Sequence, residues 1–117
     1  MTLEKLFAMP FSRVYPSLVQ KAERKGRTKA EVDFLITWLT GWEEAAIDRA
    51  VEEQTTYGDF FRDAPAWNPS ARNIRGSICG VRVEEIEEPT LWRIRCLDKL
   101  VDELAKGKTM DKILGKL

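Results

Sequence analysis

The sequence predicts a mainly α-helical fold: a single domain over residues 1–117, built as a compact array of five or six helices. Its apolar fraction of 44% and charged fraction of 32% are typical of a folded globular chain. A chain of 117 residues is also long enough to bury a hydrophobic core. Apolar residues recur every three or four positions in several segments, and those segments begin and end with typical helix-capping residues.

The first two helices are predicted from their start and stop residues. After a loose N-terminal lead, a helix should run from about 15 to 25, with Pro16 in its first turn and Gly26 as its stop. Thr28 and Glu31 match a capping box, so a second helix should begin there. Its apolar stripe consists of Val32, Leu35, Ile36 and Leu39, widened by Phe34 and Trp38.

Two shorter helical segments should follow. Between residues 43 and 54, apolar residues at helical spacing follow an acidic leading edge and predict a third helix. The next segment starts at Thr56 and is anchored by Phe60 and Phe61. It should end before Pro65, because the residue that precedes a proline avoids helical backbone angles.

The segment 74–88 is left open between helix, strand and loop. Asn68–Pro69 is typical of a helix start, and apolar residues at helical spacing follow it. Two glycines interrupt that pattern, however, and residues 81–83 alternate like a short strand. A small strand element near residues 78–83 is therefore the main alternative.

The longest helix is predicted at 89–106, and a short final helix should span 110–114. The apolar arc of the long helix covers about half of its circumference, which is too broad for a surface position. We therefore expect it to be either the central helix of the fold or the seam of a homodimer. The seam would follow if the flank formed by Trp92, Cys96 and Leu100 stayed exposed.

Composition bears on the compartment. The cysteines Cys79 and Cys96 are too few for a disulfide framework, so we expect two buried thiols in a reducing environment. The N-terminus has no signal-peptide pattern, and no apolar run approaches the roughly 20 residues that a membrane-spanning helix needs. We expect a cytoplasmic protein without membrane attachment.

Composition also excludes several kinds of site. Histidine is absent, which rules out histidine-based triads and histidine ligands for zinc within one chain. No glycine-rich phosphate loop, nucleophile elbow or CxxC motif occurs, so no cofactor is expected. The four glutamates between residues 84 and 88 match no calcium-loop pattern and are interpreted as a solvated lead-in to the long helix. Catalysis is not expected, although the sequence does not decide it.

Charges are balanced overall, with 19 basic and 19 acidic residues, but they are sorted along the chain. The segments that are net positive and those that are net negative alternate. Blocks of opposite sign can attract one another within a chain or across a homodimer. The alternation favours a self-contained protein or a self-associating one, a homo-oligomer, over a dedicated nucleic-acid binder.

Five basic residues gather where the first helix meets the second. Phosphate contact by this turn is one interpretation, and a solvated basic turn is the other. The second helix is dominated by apolar side chains, whereas a helix that reads DNA presents polar and basic ones. The solvated turn is therefore favoured over nucleic-acid contact for Lys21, Arg24, Lys25, Arg27 and Lys29.

Seven of the eleven aromatic residues lie between residues 34 and 67. They could line a small-molecule pocket, although aromatic residues at helical spacing more often pack in a core. Arg82 stands between two valines and is the first choice for a buried or site-facing charge, although an intramolecular ion pair is the favoured interpretation. The candidate ligand or partner contacts are Trp42 and Trp67, both expected to be exposed, together with Arg82 and Trp92.

Five ordered segments carry a resemblance to a known family. They are VYP (14–16), KGRTKAEVD (25–33), WLTG (38–41), GVRVEEI (80–86) and LDKLVDELAKGK (97–108). Over residues 12–115 the chain resembles a family of short bacterial proteins, domain of unknown function 2200. The resemblance implies a bacterial cytoplasmic protein and carries no reaction, ligand or catalytic residue onto these positions.

Three hypotheses about function result. The leading one is a small, non-catalytic interaction protein that associates with itself. The second is a nucleic-acid-binding accessory protein that uses the basic 21–29 turn. The third is a small-molecule-binding or enzymatic domain built on the 34–67 aromatic cluster.

Overall fold

Helices make up most of residues 2–115, which are the residues that this computed structural model describes. The α-helices are α1 (Leu3–Ala8), α2 (Phe11–Glu23), α3 (Lys29–Thr40), α4 (Glu44–Glu52), α5 (Tyr57–Arg62), α6 (Pro89–Ala105) and α7 (Met110–Leu114). Strands β1 (Ser77–Ile78) and β2 (Val81–Arg82) lie between two 3₁₀ helices, Pro69–Asn73 and Val83–Glu85. The predicted mainly helical fold is confirmed, with seven α-helices among the described residues instead of five or six.

Helix α6 passes through the centre of the fold. It packs against α2, α3, α5, α7 and strand β1. Ile94 and Leu97 are fully buried, and the opposite flank formed by Trp92, Cys96 and Leu100 is buried as well. The prediction of a central helix is confirmed. The exposed flank that a dimer seam on this helix would require is instead covered by the chain's own side chains.

The N-terminal region is more regular than its sequence indicates. The expected loose lead is wrong, because Thr2 caps a helix by accepting the amide of Lys5 and α1 then packs on α5. The next helix begins at Phe11 instead of near residue 15, which places Pro16 inside it. The backbone amide of Phe11 donates to Thr55 at 2.8 Å, so contact with a distant segment sets this start.

Helix α3 forms as its end signals predict. Thr28 and Glu31 make the reciprocal hydrogen bonds of a capping box, and Gly41 ends the helix with a left-handed φ of 83°. Val32, Leu35 and Ile36 are fully buried against the core. Only the position of Phe34 departs from the predicted stripe, since this side chain points outward and is 52% exposed.

The segment that the sequence leaves open folds as a hairpin. β1 and β2 pair antiparallel, with Ser77 opposite Arg82 and Ile78 opposite Val81. The turn consists of Cys79, with a φ of 52°, and Gly80, which also has a positive φ. Tight two-residue hairpin turns require such backbone angles. The predicted strand element is therefore present. The helix start at Asn68–Pro69 leads into a short 3₁₀ helix and not into an α-helix.

Candidate functional site

The basic turn uses most of its charge inside the molecule. The Lys21 ammonium pairs with Asp102 at 3.2 Å. Arg27 pairs with Glu31, and its Nη1 donates to the carbonyl of Leu104 at 3.0 Å and to that of Lys108 at 2.7 Å. Arg27 thereby satisfies carbonyls at the C-terminus of α6, where a cation is favoured by the helix dipole.

The remaining basic residues of the turn include one paired side chain and two unpaired ones. Lys29 pairs with Asp33 at 2.8 Å and lies over the ring of Tyr15, whose hydroxyl donates to the same carboxylate. Burial, followed by the hydrogen bond to Asp33, raises the pKa of Tyr15 to about 12. Only Arg24 and Lys25 are exposed without an ion pair to the described residues. Two side chains of the predicted five are therefore free to meet a phosphate.

The predicted tryptophan contacts belong to two separate places. Trp67 and Trp92 pack together, with ring centroids 5.5 Å apart. The guanidinium of Arg93 lies 4.6 Å from the ring of Trp67, and that of Arg72 lies 4.1 Å from the ring of Trp92. This stack of two cations and two rings closes one side of the core, and Trp92 is buried within it.

Trp42 is half-buried against α5. Its indole N–H donates to the carbonyl of Phe60 at 2.8 Å, and its ring packs against that of Phe60. Phe60 in turn stacks on Phe11 with ring centroids 4.0 Å apart. The aromatic stretch therefore supplies core packing on two sides and does not converge on one pocket. The expectation that Trp42 and Trp67 are exposed is wrong, since both are half-buried.

Arg82 is exposed and is not a buried charge. Its Nη2 pairs with Glu84 at 2.8 Å, so the intramolecular ion pair favoured from the sequence is confirmed. Glu84 also accepts the amide of Gly76 at 3.0 Å. Backbone hydrogen bonds, from its own amide and then from Gly76, lower the pKa of Glu84 to about 2. The pair stabilises the loop around the hairpin.

Two surface features were not singled out from the sequence. The first is an outward-facing patch on α3, called here the Phe34 face. It consists of Ala30, Phe34, Thr37, Glu44 and Met110, which line two shallow depressions that meet at the Phe34 ring. An exposed aromatic side chain on a helix that otherwise packs into the core is typical of a contact surface.

The second feature is an open cavity of about 380 Å³ beside the hairpin, called here the hairpin cleft. One side is apolar and is formed by Leu6, Met9, Val14, Leu18 and Ile78. The other side is polar and is formed by Lys21, Tyr57, Cys79, Arg95 and Asp98. Packing of α1, α2, α5 and the hairpin around α6 brings these residues together. Of these five polar residues, only Lys21 was predicted from the sequence as a possible contact. The other four were not among the predicted contact residues.

Charges at the polar end of the cleft are held in place by one ion pair. Arg95 Nη1 donates to Asp98 Oδ2 at 2.8 Å and to Cys79 Sγ at 3.6 Å. Burial raises the pKa of Asp98, while Arg95 acts to lower it. Burial also raises the pKa of Tyr57 well above its usual value, and the charge of Asp98 adds to this effect. Tyr57 is therefore a neutral phenol at physiological pH.

The cleft was not predicted from the sequence, and the wrong expectation for Cys79 is one reason. Both thiols were expected to be buried, which holds for Cys96 and is wrong for Cys79. Burial raises the pKa of Cys96 to about 12, so this thiol is inert. Cys79 is exposed because it forms the hairpin turn. The pair Cys79-Gly80 between alternating residues was the available signal of a hairpin turn.

These features define a small, mainly helical protein with one hydrophobic core, an exposed aromatic patch and an open cleft. No helix within residues 2–115 has the length and apolar character that crossing a bilayer demands. The chain belongs to the DUF2200 family, described as uncharacterized protein conserved in bacteria, and the match covers residues 5–115. The resemblance found in the sequence is thus confirmed, and the match begins earlier than residue 12.

A solved structure with the same fold supports this assignment. The chain is similar to the crystal structure of uncharacterized protein SP1917, with 48% sequence identity and a TM-score of 0.92. The alignment covers 99% of this chain and 94% of that one. No curated protein matches the sequence. The comparisons therefore establish family and fold, and function has to be argued from the surface.

Proposed function

We propose that this protein is a non-catalytic interaction protein that self-associates through the Phe34 face. The observation that carries the proposal is Phe34, which is 52% exposed and is the most exposed large hydrophobic side chain among the described residues. Exposed Ala30 and half-buried Met110 extend the apolar surface around it. Pairing with a second copy would remove this surface from water.

Charge on either side of the face favours a second copy of the chain as the occupant. Phe34 lies near the middle of α3, so a two-fold axis that passes by this ring perpendicular to α3 would place two α3 helices antiparallel. The chain enters α3 from the basic turn with Arg24 and Lys25, and leaves it towards Glu43 and Glu44. Each basic turn would then face the partner's acidic end, and the two helix dipoles would also oppose each other.

The other two hypotheses have less support from the surface. Nucleic-acid contact would depend on Arg24 and Lys25, because the other three cations of the turn are held in ion pairs. A pocket on the 34–67 aromatic cluster would need rings that instead pack in the core. We also propose a cytoplasmic location, because an exposed free thiol at Cys79 suits a reducing compartment.

Sedimentation or light scattering over a range of protein concentrations tests the proposal. The unmodified chain should show a monomer–dimer equilibrium, and Phe34→Glu should shift it strongly to monomer, because two carboxylates would meet at the two-fold axis. Val81→Glu is the matched control, since Val81 is 47% exposed on the hairpin, away from α3. A chain that stays monomeric at every concentration, or a Phe34→Glu variant that dimerises unchanged, would refute the proposal.

Charge reversal tests the antiparallel arrangement separately. Glu44→Lys should weaken the dimer, because it would set a lysine against the partner's basic turn. Adding Lys25→Glu to that variant should restore part of the affinity, since each reversed charge would face its new complement. Salt should weaken the unmodified dimer and change the restored one in the same direction. Additive weakening by the two substitutions would exclude this geometry.

A further inference from the structure

We propose that the hairpin cleft binds a small aliphatic carboxylate, with the carboxylate held between Tyr57 and Arg95 and the alkyl chain against the apolar wall. This binding site is independent of the Phe34 face and of self-association. It is argued from three features of the cleft: an unpaired tyrosine hydroxyl that reaches the cleft, unused guanidinium donors and an apolar wall that continues from them.

The hydroxyl of Tyr57 is the first feature. Tyr57 is only 2% exposed, and its ring packs edge-on against Phe61 in the core. Its backbone amide donates to Met9, but its hydroxyl makes no hydrogen bond to any residue that the structure describes. Its oxygen is not enclosed by the protein and reaches the space of the cleft, where it can take a hydrogen-bond partner. The side chain lines the cleft, so a group inside the cleft would supply that partner.

The guanidinium of Arg95 is the second feature. Both of its hydrogen bonds use Nη1, so Nε and Nη2 have no partner within residues 2–115. The Tyr57 hydroxyl, which can donate as well as accept, adds a further donor beside them. The positive charges of Arg95 and Lys21 are each already paired with a carboxylate, that of Asp98 and that of Asp102. The anion is therefore selected by the unused donors of Arg95, whose planar fork fits a carboxylate.

The apolar wall of the cleft determines the chemistry of the ligand beyond its carboxylate. Leu6, Val14 and Leu18 project from two helices, and Ile78 closes the surface from the hairpin. An apolar wall next to a few oriented polar groups is the usual composition of a small-molecule site. A volume of about 380 Å³ lies within the usual size of such sites. An unbranched alkyl chain would cover this wall while its carboxylate reached Arg95.

Calorimetric titration of the full chain with octanoate tests the proposal, with octanol as the neutral probe of equal chain length. Octanoate should bind saturably with one molecule per chain, and octanol should bind more weakly because it lacks the charge. Tyr57→Phe should weaken octanoate binding about tenfold, since it removes a hydrogen bond to a charged group. Its melting temperature should not fall, because the lost hydroxyl has no partner in the protein.

Tyr15→Phe is the matched control variant. It also removes a tyrosine hydroxyl, but that hydroxyl donates a hydrogen bond to Asp33 and lies outside the cleft. It should lower the melting temperature and leave octanoate affinity unchanged. Equal affinities for octanoate and octanol, the absence of saturable binding, or an unchanged affinity in Tyr57→Phe would each overturn the proposal.

Alkylation of Cys79 gives an independent readout of where octanoate binds. Cys79 is exposed at the edge of the cleft, while Cys96 is buried and serves as an unreactive internal reference. Saturating octanoate should slow the reaction of Cys79 with iodoacetamide at least several-fold in the unmodified chain. Protection should need a higher octanoate concentration in Tyr57→Phe. Unchanged alkylation at saturation would show that octanoate binds elsewhere and would also overturn the proposal.

Discussion

Helices α3 and α6 both carry broad apolar surfaces, but the fold treats them differently. On α6, side chains on opposite flanks such as Ile94 and Leu100 are covered by the rest of the chain. On α3, Leu35 and Ile36 are fully buried while Phe34, one position before them, faces outward. A broad apolar arc therefore predicts that most of a helix surface is buried. Only the tertiary packing shows which apolar side chains stay exposed.

This difference moves the expected contact surface from α6 to α3. A dimer seam on α6 was one of the two expectations from the sequence, but the chain's own side chains bury Trp92, Cys96 and Leu100. The apolar surface that remains uncovered lies on α3. The comparison predicts that equal substitutions on the two helices have opposite consequences: loss of folding on α6 and loss of association on α3.

The largest effect is expected for Leu100→Glu. Leu100 is buried on α6, so the new carboxylate would lose its hydration without gaining a partner. The free energy of unfolding should fall by about 4 kcal/mol or more, enough to unfold a marginally stable domain. Circular dichroism with urea titration measures this. A variant that stays folded with near-native stability would show that α6 is not the central helix.

A middle-sized effect is expected for Tyr15→Phe, which acts between α2 and α3. The Tyr15 hydroxyl donates to the buried carboxylate of Asp33, which would keep only Lys29 as its partner. A hydrogen bond to a charged group contributes about 1.5–3 kcal/mol, and urea unfolding should show a loss of that order. A loss of less than 0.5 kcal/mol, on the order of an exposed substitution, would mean that solvent replaces the bond.

The same variant should change the response to alkaline pH. The pKa of Tyr15 is raised from its ordinary value of 10.0 to about 12 in the folded protein. Its stabilising contribution is therefore complete below pH 10 and is lost as pH rises towards 12. The difference in stability between the unmodified chain and Tyr15→Phe should shrink over that range. A constant difference from pH 8 to 12 would contradict the assignment.

The smallest effect on folding is expected for Phe34→Glu. Phe34 lies outside the core, and exposed substitutions usually change the free energy of unfolding by about 0.5 kcal/mol or less. Urea unfolding should be compared at low protein concentration, where mass action from association does not contribute. A loss comparable to that of Leu100→Glu would show that Phe34 supports the fold and is not a free contact residue.

Local signals in the sequence predicted most helix ends correctly. The capping box at Thr28 and Glu31, the proline at position 89 and the short helix Met110–Leu114 all lie where their residues place them. Each depends on hydrogen bonds between residues a few positions apart, which composition and spacing encode directly. The start of α2 at Phe11 was missed, because its amide bonds to the distant Thr55.

The sequence by itself determined that this is a mainly helical member of its family with one long helix at residues 89–106. Tertiary structure alone decided that Phe34 faces outward, that Trp92 faces inward, and that Tyr57, Cys79 and Arg95 line one cleft. Helical spacing defines which side chains share a face, since that depends on neighbours along the chain. Which face is covered, and which distant residues meet, depends on how the helices pack, and no local pattern records that.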